Sequence, residues 1–181
     1  MAPDSYLFRN QRKGRSRRDW FAKLLSDSHL FQYTVITKAS PEVAWSIFSD
    51  WTRWPSFANV YGNLRWHEGR PWQVGSRLFI ELLRPVETVI EHVIITCTPM
   101  KQIGWIDSGM GVTIIQWVEF EQQGEGRTVI HTWGEIAGAK FELAGRTVPQ
   151  LVNTFTETWY ENFRSACDEA AEIGNLVANS V

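Results

Sequence analysis

The chain has 181 residues, enough for one domain with a sizeable core, and its formal charge of −2 hides an uneven split. Seven of the 18 Lys and Arg lie in residues 1–29 against three of the 20 acids, so the body is acidic and only the tail is basic. No run approaches the roughly eighteen apolar residues of a membrane span, and Cys97 and Cys167 stand far apart inside apolar patterns, which argues against a disulfide framework and fits a reducing, cytoplasmic setting.

Residues 1–18 carry Arg9, Arg12, Lys13, Arg15, Arg17 and Arg18 with few apolar side chains, too little to pay for ordering. We expect a solvated tail capable of weak contact with an anionic surface, with nothing that specifies nucleic acid. Ser16-Arg17-Arg18-Asp19-Trp20-Phe21 looks like a twin-arginine export motif, but Ser26, Asp27, Ser28 and His29 interrupt the apolar stretch that should follow. Between Asp19 and Leu30, Trp20, Phe21, Leu24 and Leu25 fall at helical spacing and predict a short helix docked on the body. The division is therefore a basic tail and short helix over 1–30, then one domain over 31–177.

Phe31 to Ala39 is rich in β-branched and aromatic residues and predicts a first strand. Ser40-Pro41-Glu42 then offers a cap, a proline for the first turn and an acid at the positive end of a helix dipole. Val43, Ala44, Ile47 and Phe48 form its apolar face, and a second short helix with Phe57 restarts at Thr52-Arg53-Trp54-Pro55. Strands follow over 60–68, 76–83, 86–98, 101–107, 111–122 and 127–137, separated by turns at Gly69-Arg70-Pro71, Arg84-Pro85, Pro99, Ser108-Gly109 and Gly124-Glu125-Gly126. Turns this short join antiparallel neighbours, so the pattern is α+β: a seven-stranded curved antiparallel sheet, two short helices and a long C-terminal helix.

That last helix is the longest periodic signal, from Thr147 to Ile173. Leu151, Phe155, Trp159, Phe163, Ala166, Ala170 and Ile173 share one stripe, with Glu157, Glu161, Arg164, Asp168 and Glu172 opposite. Thr147 is placed to cap the start, and Gly174 to end the helix in a left-handed turn. Large rings come first and small residues later, so Phe155 and Trp159 are expected to stand over a hollow, while Ala166 and Ala170 pack closely on Trp45 and Phe48.

Alternation assigns the sheet's faces. Glu87, Glu91, Glu119 and Glu121 should meet water, which turns Ile80, Leu82, Ile90, His92, Gln116, Val118 and Phe120 toward the helix. The last strand is ambiguous between a face with Ile130 and Thr132 and one with Val129, His131 and Trp133.

The run Ile36-Thr37-Lys38-Ala39-Ser40-Pro41-Glu42-Val43-Ala44-Trp45-Ser46-Ile47-Phe48-Ser49-Asp50-Trp51-Thr52-Arg53-Trp54-Pro55 resembles the opening signature of the START-like (SRPBCC, Bet v 1-like) superfamily, and within it the polyketide cyclase/dehydrase and lipid-transport branch. Val74-Gly75-Ser76-Arg77, Trp105 and the Gly126–Val129 hairpin are also similar, and the resemblance spans about residues 31–175. It implies a helix-grip fold with an elongated cavity for a hydrophobic or amphipathic molecule. The ligand-binding residues expected on parity and resemblance together are Ile80, Leu82, Ile90, His92, Trp105, Gln116, Val118, His131, Phe155 and Trp159.

The four histidines, at 29, 67, 92 and 131, lack metal-ligand spacing, and no phosphate or dinucleotide fingerprint appears, so no metal and no cofactor is expected. His92 and His131 are the only groups placed mid-strand for acid–base work. Glu135 and Asp107 fall near strand ends, where a cavity mouth would be. Three functions remain open: a carrier or sensor of a lipid-like or aromatic ligand, a polyketide cyclase, aromatase or dehydratase, and an interaction module resembling heat-shock ATPase activators.

Overall fold

The alternating stretches become the strands β1 (His29–Thr37), β2 (Tyr61–Glu68), β3 (Arg77–Leu82), β4 (Thr88–Thr98), β5 (Gln102–Gly109), β6 (Val112–Gln122) and β7 (Thr128–Ala137). They form one antiparallel sheet in the order β1-β7-β6-β5-β4-β3-β2, a meander whose last strand returns to pair with the first. The structure is a computed structural model that describes residues 29–109, 111–124, 126–137, 142–143 and 146–178. Of the expected tail and short helix over residues 1–30, residues 1–28 lie outside the described residues, and His29 and Leu30 belong to β1.

Between β1 and β2 sit α1 (Pro41–Ser49), a 3₁₀ turn at Trp51–Arg53 and α2 (Trp54–Phe57). Ser40 caps α1 as its sequence suggests, its side-chain oxygen accepting from the Val43 N–H at 3.4 Å. A two-stranded ribbon, β8 (Glu142–Leu143) with β9 (Arg146–Thr147), precedes the last helix and has no counterpart in the sequence reading, since two-residue strands carry no period.

Helix α3 runs from Val148 to Ala178, 31 residues or about 46 Å at 1.5 Å per residue. Thr147 and Gln150 close its start reciprocally: the Gln150 N–H donates to Thr147 Oγ1 at 3.4 Å and the Thr147 N–H to Gln150 Oε1 at 2.9 Å. Two expectations about its far end fail. Gly174 does not stop the helix, and Ile173 is 64% exposed. Periodicity reports the side a residue faces but not where the partner sheet ends. Here β1 ends at Thr37, and Asp168 already reaches Thr37 and Lys38, so the later turns have no sheet beneath them.

Arg164 and Asp168 are not simply solvated either. Tyr33 donates to Glu161 at 2.9 Å, Arg164 bridges Glu161 and Asp168 at 2.9 and 3.0 Å, and Asp168 accepts from the Thr37 hydroxyl at 2.6 Å and the Lys38 N–H at 2.7 Å. Hydrogen bonds from Arg164 and Tyr33 hold the Glu161 carboxyl below its ordinary range. This ladder ties the second half of α3 to the edge strand.

The parity of β7 is settled by its pairing. Phe120 opposes Ile130 and Val118 opposes Thr132, so Ile130, Thr132 and Gly134 share the concave face. Gly134 is required there: a Cβ would lie 2.4 Å from the Ile115 carbonyl and 2.6 Å from the Phe31 ring. The core follows this face, from Val35, Ile103, Val118 and Ile130 to Phe163 and Cys167 on α3. Both cysteines are free, and burial pushes the Cys167 thiol up to about 12.

Candidate functional site

Between the concave face and the first half of α3 lies a cavity of about 170 Å³ with an almost wholly apolar lining. For scale, an engineered cavity of roughly 150 Å³ accommodates benzene. The sheet supplies Ile80, Leu82, Ile90, His92, Trp105 and Gln116 from among the expected residues, and α3 supplies Phe155 and Trp159. The period of two in β3, β4 and β6 puts these side chains inward together.

Two expected residues are elsewhere. Val118 faces inward but is fully buried in the packed core and does not border the cavity. His131 is on the opposite face of the sheet: its ring stacks on Trp133 with centroids 5.2 Å apart, and Nδ1 meets the Thr34 hydroxyl at 2.6 Å. The register of β7 against β6 decides this, and one residue of slip would have reversed it.

The small-residue half of α3 also differs from expectation. Ala166 and Ala170 are half-buried, and the tight contact falls on Phe163 and Cys167, one step around the helix. Trp159 is a boundary residue. It borders the cavity and also packs on Phe48, Trp54 and Phe163, with centroids 5.9, 5.6 and 5.2 Å away. Burial raises the Tyr61 phenol well above its ordinary value, offset only in part by the neighbouring Trp159 indole. The Trp159 N–H is not aligned on that oxygen and finds no acceptor among the described residues.

A polar belt crosses the floor of this space. His92 and Asp107 are a directly opposed pair across β4 and β5, and Trp105 shares the Asp107 face two residues away. His92 Nδ1 contacts Asp107 Oδ1, and the Trp105 indole N–H donates to Asp107 Oδ2 at 3.1 Å. Gln116 continues the belt, donating to Thr132 at 2.8 Å and to the Tyr160 hydroxyl at 3.4 Å. Desolvation pushes the His92 imidazole down to about 3 and raises the Tyr160 phenol far above its usual range.

Asp107 is thus not at a solvated strand end but buried in the wall. The signal was present, because the parity that turns Trp105 inward turns Asp107 inward as well. Phe48, Trp54, Tyr61, Thr156 and Tyr160 also border the cavity and were missed as site residues. Tyr160 follows Trp159 on the wide apolar face that spacing by fours undercounts. Among the described residues, no group of three or more His, Cys, Asp and Glu is placed to hold a metal ion.

A curved seven-stranded antiparallel sheet gripping a long C-terminal helix over a cavity defines the START-like, or Bet v 1-like, helix-grip fold, and this chain has it. It is similar to a START superfamily protein from Mycobacterium smegmatis, with 20% identity and a TM-score of 0.58 over 80% of this chain and 97% of that one. It is likewise similar to Ara h 8.0201, with 12% identity and a TM-score of 0.64 over 77% and 97% of the two chains. The major latex-like protein 151 from Panax ginseng aligns with 13% identity and a TM-score of 0.62, over 77% of this chain and 97% of its own. No protein-family model matches the sequence, and no curated protein matches it.

Proposed function

We propose that the protein binds a hydrophobic or amphipathic small molecule, lipid-like or aromatic and polyketide-like, between the sheet and α3, and serves as its carrier or sensor, in the cytoplasm. The observation that carries this reading is the apolar cavity itself. Packed interiors rarely leave voids larger than a water molecule, and a void lined by Ile, Leu, Val and aromatic side chains stays dry unless an apolar guest enters. Among the described residues no helix is long and apolar enough to cross a membrane. The neighbours' shared fold supports the reading without naming a ligand.

Native mass spectrometry of freshly purified protein, with titration of the apolar fluorophore N-phenyl-1-naphthylamine, tests it. We expect a retained small molecule or one-to-one uptake of the fluorophore by the folded state. Protein that retains nothing and takes up no fluorophore under native conditions refutes it. The cyclase, aromatase or dehydratase reading draws on one observation, the His92–Asp107 pair in the cavity wall. It adds the claim that the guest leaves chemically altered, which the recovered mass would reveal.

A further inference from the structure

The polar pair at the cavity wall specifies which kind of apolar guest fits, an inference that rests on the carrier reading above. His92 and Asp107 are both buried, and among the described residues neither the Nδ1 nor the Oδ1 atom has a partner other than the other one. A hydrogen between them satisfies both. Among the described residues no Lys or Arg lines the cavity, so a net negative charge on the pair would go uncompensated in an apolar setting, at high cost.

Two arrangements avoid that charge. In one, a protonated Asp107 donates from Oδ1 to a neutral ring, while Oδ2, as the carbonyl oxygen, accepts the Trp105 N–H. In the other, an imidazolium faces a carboxylate. Burial of the ring, which pushes its pKa down to about 3, favours the first. Both share one feature: with Nδ1 turned to Asp107, the second hydrogen of the pair sits on Nε2. That nitrogen has no partner among the described residues and is not sealed within the protein, and the ring borders the cavity. An acceptor on the guest is what would complete it.

We propose that His92 Nε2 presents a hydrogen to the cavity and donates it to a neutral carbonyl oxygen on an otherwise apolar ligand, with Asp107 and Trp105 fixing the ring's orientation. His92 is then a specificity-determining residue, and the protein selects ketones over hydrocarbons of the same shape. A donor left unpaired against a hydrocarbon, set against one paired with a carbonyl, separates two such ligands by about five- to tenfold in affinity.

Three matched probes read this in the wild-type protein: tetralin, α-tetralone, and tetralin with a carboxylate at the same carbon. We expect the ketone to bind about five- to tenfold tighter than tetralin, and the carboxylate, which brings an uncompensated charge, to bind no tighter than tetralin. Nitrogen-edited NMR of the histidine side chains should show a hydrogen on His92 Nε2 before ligand is added and a shift of its resonance on addition. In His92→Phe the preference should vanish while tetralin still binds. Wild-type protein that binds tetralin as tightly as the ketone, or the carboxylate more tightly than the ketone, or an Nε2 without hydrogen, overturns the inference and leaves the carrier reading standing. Uptake of none of the three overturns the inference as well, and the carrier reading falls with it only where no small molecule is retained and the fluorophore is not taken up.

Discussion

Toward the second half of α3 the space between sheet and helix is filled, and toward its first half it is not, although both halves draw on the same apolar residue types. At the filled end a third layer intervenes: α1 delivers Phe48 among Trp45, Trp72, Phe120 and Phe163, ring against ring. At the hollow end the sheet offers Ile80, Leu82, Ile90 and Ile114, and α3 offers Leu151, Val152 and Phe155, while Phe48 of α1 and Trp54 of α2 border this space without filling it. Branched aliphatic side chains cannot meet across the gap that a curved sheet leaves under a straight helix. The difference teaches that the short helices after β1 are plugs. A cavity results where the plug stops, and Trp159 marks the border.

The largest test of that contrast is Phe48→Ala. It removes the ring at the centre of the filled end and should lower the unfolding free energy by about 3–5 kcal/mol in denaturant titration. A cost below about 1 kcal/mol would mean the two ends are packed alike. Next, Cys167→Leu forces extra volume against a fully buried contact of the filled end and should cost about 1–3 kcal/mol by the same titration.

The smallest effect is expected from Phe155→Ala, where a half-buried ring already borders empty space: about 1 kcal/mol, with stronger uptake of the fluorophore. A cost like that of Phe48→Ala would show that the ring is structural.

The strands were legible because a period of two and short turns leave little choice, and the opening run from Ile36 to Pro55 carried the fold. Within the site, the inward residues of β3, β4 and β6 were legible from the acids alternating with them. His131 was not, because facing in β7 depends on how the hairpin after Gln122 closes, and five residues separate it from Thr128. Asp107 was misplaced because a carboxyl near a strand end usually meets water, whereas here His92 and Trp105 occupy both its oxygens. The overhang of α3 was illegible for a simpler reason, since a helix carries no record of its partner's length.

The ladder that joins Glu161 and Asp168 to β1 also makes α3 a lever. With its innermost rung at Glu161, the arm to Val148 spans 13 residues, about 20 Å, so a tilt of about 5° would swing the far end by about 1.7 Å. The swing would be nearly nothing at Phe163 and largest at Val148, where the helix still borders the cavity. A second fastening stands there, the small cluster of Phe31, Val112, Ile136 and Val148. The helix is thus pinned to the sheet at two separate places, one polar and one apolar, with the cavity between them.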